Sequence, residues 1–239
     1  MKIARIDGYD SPAEVCFRAA RNDYSATNDP WVGEATVDEL RAGASTDTIA
    51  DFIDRAMDRG HWGVFEHAQA TFAIEGASRV AMAQLSRHRH ASFDIQSLRY
   101  TGFEDARWLN RPLADIKREK ILQFITVPPT IDQAGGPVRQ AYLQDCCRAF
   151  KSYYEMVVNH GVEKEDARYV LPLSTQVNIV FSMNARALLH LFDIRHKADV
   201  QSETYDIADG VLAECVAWFP ECFERYTHEF HPRANQLAP

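Results

Sequence analysis

Two short segments of alternating apolar and polar residues lie among longer segments with helical spacing, and this mixture is the strongest constraint on the fold. Residues 68–75 (AQATFAIE) and 176–183 alternate closely enough to predict strands. Apolar residues recur with helical spacing over 46–59 and 137–161, and a final helix is predicted over 200–219. Long helices with few strands indicate an α+β fold.

The residues at the segment ends predict where the first helices begin and end. Ser45 and Thr46 are expected to cap the helix that runs to about residue 59, and Gly60 is expected to end it. After a break at Gly76, residues 78–86 are predicted to form a helix. That helix is apolar on most sides, which favours burial.

The second half of the chain is predicted to continue as one domain over residues 1–239. The only linker-like segment, 127–137, contains Pro-Pro and Gly-Gly pairs and is interpreted as a surface connection within that domain. A short helix is predicted over 163–169, stopping near Pro172. Asn184 is expected to cap a further helix that runs to about residue 195.

The composition favours a protein of a reducing compartment. The five cysteines are odd in number and none has C-x-x-C spacing, which disfavours a disulfide framework and a zinc ribbon. We predict buried free thiols, because unpaired cysteine behaves as a small hydrophobic side chain. No segment approaches the roughly 18 uncharged apolar residues of a membrane span, and the first residues lack the apolar core of a signal peptide. We therefore expect a cytoplasmic protein that does not contact the membrane.

A basic segment stands out against the acidic average of the chain. The net charge of −8 disfavours general nucleic-acid binding, because the field of the whole molecule repels polyanions. Residues 84–100 nevertheless read QLSRHRHASFDIQSLRY. Arg87 and Arg99 can grip phosphate through paired, charge-assisted hydrogen bonds, and the hydroxyl of Ser97 can complete a cradle. The segment is chemically suited to phosphorylated ligands.

Two other interpretations of this segment carry less weight. A solvated run of charges needs no fixed loop, whereas Phe93, Ile95 and Leu98 are expected to hold part of the segment against the core. A zinc site at His88 and His90 lacks a Cys, Asp or Glu at ligand spacing within the cluster, and adjacent arginines would repel the cation. We therefore predict a phosphate site and no metal site.

Four sequence elements together resemble those of the flavin-dependent thymidylate synthases. In chain order they are HWGVFEH (61–67), RHR (87–89) followed by Ser97, ARYVLP (167–172), and NAR (184–186) followed by DIR (193–195). The RHR element with its distant serine is only moderately specific by itself. The presence of all four in the right order makes chance improbable.

The resemblance implies a fold, a reaction and an assembly. The family fold has long helices packed on a small, mainly antiparallel sheet. FAD takes hydride from NADPH, and a one-carbon unit from 5,10-methylenetetrahydrofolate is transferred to dUMP and reduced to a methyl group, giving dTMP. The family works as a homotetramer whose active sites lie at subunit interfaces, with FAD held across them.

The resemblance also implies roles for individual residues. The positions that match dUMP contacts are Gln84, Arg87, Ser97, Leu98, Arg99, Arg168 and Arg195. The positions that match FAD contacts are Gly63, Arg87, His88, Arg89, Asn184, Arg186 and His190, and His61 matches a histidine near flavin and folate. Arg195 and Ser97 are the expected catalytic residues. A fixed guanidinium such as that of Arg195 stabilises negative charge that develops on the pyrimidine ring.

Three departures from the family pattern keep alternatives open. Ile95 replaces the usual glutamate, Gly63 lacks a hydroxyl often found there, and residues 20–25 match an early Ala-Arg-Val-Ser element only loosely. One alternative is a flavoprotein with oxidase or other pyrimidine-methylating activity. Another is a module that binds nucleotides or single-stranded RNA without chemistry, although the net charge disfavours the broad basic groove it would need. Simpler roles also remain for Asn184 as a helix cap and for His190 as a core residue.

Overall fold

The computed structural model describes residues 1–23 and 45–231 of the chain. The fold is α+β and rich in helix, as predicted. Four strands form one small antiparallel sheet in the order β1-β2-β4-β3, and their bounds are β1 (Lys2–Gly8), β2 (Gln69–Ser78), β3 (Ala91–Ile95) and β4 (Gln176–Asn184).

The described α-helices alternate with these strands and with short 3₁₀ and π-helical turns. In chain order they are α1 (Pro12–Asp23), α2 (Thr46–Asp58), α3 (Arg79–Leu85), α4 (Pro129–Gln133), α5 (Gly136–Tyr154), α6 (Lys164–Ala167), α7 (Ala185–Arg195), α8 (Ser202–Trp218) and α9 (Pro220–Arg225). None of the helices in these described ranges is long and apolar enough to cross a membrane.

The chain divides into two compact units. Unit 1 comprises Met1–Lys2, Ile74–Arg87 and Asp94–Ile179, and unit 2 comprises Ile3–Ala73, His88–Phe93 and Val180–Pro239. The single domain expected over residues 1–239 stays a prediction.

The core of unit 1 forms around α5. Leu143, Cys147 and Phe150 on one side of this helix are fully buried. The ring of Phe103 packs edge-on against Phe150 at 4.8 Å and tilted against Phe124 at 4.9 Å. Full burial of one such side chain contributes roughly 1.5 to 3 kcal/mol, so this cluster fixes the loops that precede α5.

The core of unit 2 contains an aromatic stack on the sheet. Phe181 of β4 lies between Phe72 of β2, at 5.2 Å, and Phe93 of β3, at 5.8 Å, with both pairs nearly parallel. Phe192 of α7 packs edge-on against Phe223 of α9 at 6.0 Å. Phe93 therefore anchors part of the basic segment to the core, as the sequence predicted.

Side-chain caps begin three helices, and the sequence predicted the caps before α2 and α7. Ser45 accepts a hydrogen bond from the Thr48 amide at 3.4 Å and precedes α2. Ser78 accepts from Ala81 at 3.1 Å before α3. Asn184 Oδ1 accepts from the Ala187 amide at 2.8 Å before α7. Each cap satisfies a backbone donor that the first helical turn leaves without a partner.

Some predicted boundaries are wrong, for local reasons. Gly76 does not end a strand: it takes a φ of 76° inside β2, and its amide donates to Asn178 Oδ1 at 3.1 Å. The helix predicted over 137–161 is α-helical only to Tyr154 and continues as a π-helical turn, Glu155–Asn159. Helix α3 is less buried than predicted, with Ala81 and Leu85 buried and Ala83 exposed.

Other elements were missed. Strand β1 was not predicted, and the segment after the arginine cluster forms β3 instead of a loop. The 127–137 connection contains α4, and α8 is not the last helix because Pro220 opens α9. Proline suits a first helical turn, where its missing N–H costs no hydrogen bond. The five cysteines are buried and unpaired, as predicted.

Candidate functional site

In unit 1, Ser97 organises a tight turn. Its Oγ accepts a hydrogen bond from the Arg99 amide at 3.3 Å. Its carbonyl accepts from the amides of Tyr100 and Thr101 at 3.1 and 2.9 Å. Leu98 points inward and is buried, whereas Arg99 and Tyr100 are exposed. The turn therefore presents Arg99 to solvent from a backbone that Leu98 anchors.

Glu165 of α6 links two of the predicted dUMP-contacting arginines. Its carboxylate accepts from Arg99 Nε at 2.7 Å, and its backbone carbonyl accepts from Arg168 Nε at 3.1 Å. The pKa of the Arg79 guanidinium is lowered, first by burial and second by the charge of the nearby Arg168. Several guanidinium groups thus gather on one side of unit 1, an arrangement suited to a dianionic phosphate.

A second ion pair holds the same turn. Lys164 Nζ lies 2.6 Å from Glu104 Oε1 and donates to the Tyr100 carbonyl at 3.3 Å. A Cβ at Gly102 would collide with the Glu104 carboxylate. A side chain at this position would displace the Glu104 carboxylate, and the Lys164–Glu104 pair ties α6 to the end of the Ser97 turn.

The remaining predicted site residues of unit 1 lie around α3. Gln84 is half-buried in the last turn of this helix, and Arg87 is exposed just beyond it, with its amide donating to the Gln84 carbonyl at 3.4 Å. The RHR element therefore follows α3 in a turn, as the sequence predicted. Ile95, at the position of the usual glutamate, is a half-buried residue that ends β3.

In unit 2, the predicted catalytic arginine contacts the middle residue of the RHR element. Arg195 Nε, at the end of α7, donates to His88 Nε2 at 3.1 Å. Burial, the charge of Arg195 and the nearby His190 lower the pKa of His88 to about 4. His88 is therefore neutral near pH 7, and because Nε2 accepts this bond, its ring proton belongs on Nδ1.

Other predicted flavin positions lie on the exposed side of α7. Arg186 pairs with Glu66 through Nη1 and Oε1, and both side chains are about half exposed. His190, one turn further along, is exposed, and its ring lies 6.2 Å from that of His88. His190 is therefore not a core residue, and Arg186 belongs to a surface ion pair.

The segment before β2 contains two of the predicted flavin-side positions, Gly63 and His61. Gly63 is exposed within the 3₁₀ turn Trp62–Glu66, and a Cβ built there would meet nothing within 4 Å. His61 is half-buried, and its amide donates to the Ala56 carbonyl at 2.8 Å. Arg89 is exposed. Asn184 caps α7, so its side-chain oxygen already has a structural role.

Sequence reasoning missed the acidic partners of these basic residues. Glu165 stands two residues before the ARYVLP element, and Glu66 lies inside HWGVFEH, yet neither position says which arginine the carboxylate meets. Only proximity to a recognised element could have marked them. In the loosely matched segment 20–25, Tyr24 and Ser25 lie outside the described residues.

Comparison with known proteins gives concordant matches. Residues 6–221 match the family model for the thymidylate synthase complementing proteins. The flavin-dependent thymidylate synthases of Halobacterium salinarum and Haloarcula marismortui are 37% and 38% identical, and each match covers the whole of both chains.

A solved structure shares the fold. The flavin-dependent thymidylate synthase of Helicobacter pylori, crystallised with FAD and dUMP, superposes with a TM-score of 0.70 at 21% identity, covering 94% of this chain and 98% of that one. At this identity the likeness concerns the fold alone. Taken with the family-model match and the full-length halophilic relatives, it leads to one conclusion: this chain belongs to the flavin-dependent thymidylate synthase family.

Proposed function

We propose that the protein converts dUMP to dTMP, with FAD as cofactor, 5,10-methylenetetrahydrofolate as one-carbon donor and NADPH as reductant. Membership of the family supports the reaction class. The FAD and dUMP bound to the Helicobacter pylori enzyme support the two ligands. The co-substrates rest on the resemblance of the four sequence elements.

The observation that carries the proposal is the contact between Arg195 and His88. The acceptor is a neutral, buried imidazole, and this 3.1 Å bond holds the guanidinium at the end of α7 in one position. A fixed cation stabilises negative charge on the uracil ring as it develops, and it needs no reorganisation to do so. Ring activation of this kind uses no covalent enzyme adduct, in keeping with five buried thiols.

The arginines of unit 1 are proposed to bind the phosphate of dUMP. Arg99 and Arg168 meet at Glu165, and the Ser97 turn keeps the Arg99 backbone in place. A dianionic phosphate can replace the Glu165 carboxylate as the partner of the exposed Arg99 fork. Ser97 is then available to orient the ligand through its hydroxyl.

The predicted flavin positions of unit 2 fit a dinucleotide with a diphosphate. Arg89, Arg186 and His190 expose donors to solvent, and Gly63 leaves open space where a ligand can approach the backbone. When bound, FAD supplies hydride transfer. Arg186 and Arg89 would neutralise its diphosphate, while His88 keeps an N–H on Nδ1 that can donate to the ligand.

A homotetramer with active sites at subunit interfaces is proposed from the resemblance and from exposed apolar residues in unit 1. Tyr169 and Tyr100 are 85% and 76% exposed, and Leu173 is 68% exposed. Large exposed apolar side chains of this kind mark interaction surfaces. The two tyrosines directly follow Arg168 and Arg99, so an interface that covered them would border the phosphate arginines. Sedimentation equilibrium measures the assembly directly.

The proposed location is the cytoplasm. The five described cysteines are all unpaired and buried. Free thiols suit a reducing compartment, where disulfides do not persist.

The test is an anaerobic assay of the purified protein. Its visible spectrum reports bound flavin, and chromatography reports dTMP formed from dUMP, methylenetetrahydrofolate and NADPH. We expect flavin absorption and dTMP from the wild type. Arg195→Ala should retain flavin and lose methyl transfer, and Arg148→Ala, which alters an exposed arginine paired with Asp145, should behave as wild type.

Three results would contradict parts of the proposal. A protein that neither binds added FAD nor forms dTMP would leave a nucleotide-binding module as the better interpretation. Flavin without dTMP would favour the oxidase or another pyrimidine methylase and direct attention to Ile95. Turnover of Arg195→Ala within a few-fold of wild type would remove the role assigned to Arg195.

A further inference from the structure

A continuous chain of polar side chains lies beside the C-terminal end of α7 in unit 2. His196 Nε2 lies 3.0 Å from Asp209 Oδ1, and His196 Nδ1 lies 2.8 Å from His231 Nε2. Tyr226 Oη lies 3.3 Å from His231 Nδ1 and donates to Asp193 Oδ1 at 2.7 Å. The sequence elements that point to the reaction include none of these side chains except Asp193.

Hydrogen-bond bookkeeping gives this chain a direction. Tyr226 has one proton and gives it to Asp193, so a bond between Tyr226 and His231 needs a proton on His231 Nδ1. The contact between His196 Nδ1 and His231 Nε2 then needs one proton, which either ring can supply. His196 Nε2 faces the Asp209 carboxylate and needs a proton as well. Every contact is satisfied when the two histidines together carry one extra proton.

The surroundings of the chain favour this arrangement. The His196 side chain is 12% exposed and stacks on Tyr205 at 4.6 Å. Burial and the Asp193 carboxylate raise the pKa of Tyr226, which keeps its hydroxyl protonated. Burial and His196 lower the pKa of His231, which disfavours a second positive charge. The titratable and charged groups that face the two histidines are Asp193, Lys197, Tyr205, Asp209 and Tyr226.

The chain of hydrogen-bonded side chains acts on the turn that carries Arg195. Asp193 and His196 stand on either side of Arg195 in sequence, and the chain binds both of them to α8 and to the C-terminal segment. We propose that His196 is a positioning residue for Arg195, and that the hydrogen-bonded chain from Asp209 to Asp193 locks the end of α7 so that Arg195 contacts His88. This inference rests on the proposed function for its catalytic effect, but not for its structural effect.

Two readouts test the proposal in the full-length flavin-loaded protein. NMR titration of the His88 ring reports the position of Arg195, because the charge of Arg195 helps to keep the pKa of His88 at about 4. Steady-state kinetics with varied dUMP reports the catalytic effect as separate changes in kcat and KM. The matched control is His228→Gln, which alters an exposed histidine of the same C-terminal segment.

His196→Gln should raise the His88 pKa by about one unit and lower kcat about ten-fold, with KM for dUMP within two-fold of wild type. His228→Gln should leave the His88 pKa, kcat and KM for dUMP at their wild-type values.

An unchanged His88 titration and an unchanged kcat in folded His196→Gln would overturn the proposal. If that variant does not fold, Asp209→Asn keeps both rings and removes only the exposed carboxylate, and it should shift both readouts in the same direction by about half as much. No shift in Asp209→Asn would also overturn it. If the wild type makes no dTMP, the proposed function fails, and the His88 titration still decides whether His196 positions Arg195.

Discussion

The two units hold their predicted functional arginines in opposite ways. In unit 1, the exposed Arg99 is paired with the exposed carboxylate of Glu165, so its charge is partly balanced and screened by water. In unit 2, Arg195 is half-buried and donates to a neutral imidazole. An exposed, balanced cation can exchange its partner for a ligand phosphate. A cation held by a buried imidazole keeps one position, which suits the catalytic role proposed for Arg195.

The largest expected effect separates these two roles. Arg195→Ala should lower kcat about 100- to 1000-fold, because a fixed electrostatic group acts mainly on the transition state. Arg99→Ala should instead raise KM for dUMP about 10- to 100-fold with kcat within a few-fold, because a charge-assisted phosphate bond is present before and during reaction. Steady-state kinetics with varied dUMP measures both. If both variants changed kcat and KM in the same proportion, the proposed difference in role between Arg195 and Arg99 would be wrong.

The next effect concerns the neutral partner of Arg195. Because the pKa of His88 is lowered from 6.5 to about 4 by burial and by Arg195, the unfolded chain binds a proton there more readily than the folded chain does. The stability that His88 contributes is therefore complete above about pH 6.5 and is lost as pH falls towards 4. Between pH 7 and pH 5 the loss is about 2 kcal/mol.

Urea unfolding at these two pH values measures the loss. His88→Gln should remove about 2 kcal/mol from the difference between the two free energies of unfolding. His160→Gln, at an exposed position of unit 1, should leave the difference as in the wild type. A His88→Gln protein with the wild-type pH dependence would show that His88 is not held neutral.

The sequence predicted the parts of the fold that depend on neighbouring residues better than those that depend on distant ones. Helices α2 and α7 were predicted with their caps because the apolar spacing and the capping residues Ser45 and Asn184 act within one helical turn. Strands β1 and β3 are the two edges of the sheet and have one neighbour each. Their pairing depends on β2 and β4, which are distant in sequence, so their own short patterns were insufficient.

The candidate site also divides into residues that local sequence predicts and residues that depend on distant parts of the chain. The arginines and histidines were predicted because they belong to sequence elements with fixed spacing. Their partners were not, because the pairing of Arg186 with Glu66 or of Arg99 with Glu165 joins residues that only the fold brings together. The pKa of His88 has the same origin, since burial is its first cause and Arg195 its second.

The smallest expected effect tests whether Glu165 balances the charge of Arg99 or holds its side chain in one position. Both side chains are about half exposed, so the pair should contribute less than about 1 kcal/mol to stability. Glu165→Gln keeps the backbone carbonyl that accepts from Arg168 and removes only the negative charge. Since that charge opposes an incoming phosphate, KM for dUMP should fall about two- to five-fold, with little change in the thermal midpoint.

Asp145→Asn is the matched control, because it neutralises another exposed carboxylate, one that is paired with Arg148 on α5. Its KM for dUMP should stay at the wild-type value, so that any change in Glu165→Gln reports the local field at Arg99 and not the net charge. A several-fold rise in KM in Glu165→Gln would mean that the carboxylate orders the Arg99 fork for the ligand. Arg99 would then resemble Arg195, because each guanidinium would be held in position by its partner. The two units would differ only in the charge of that partner.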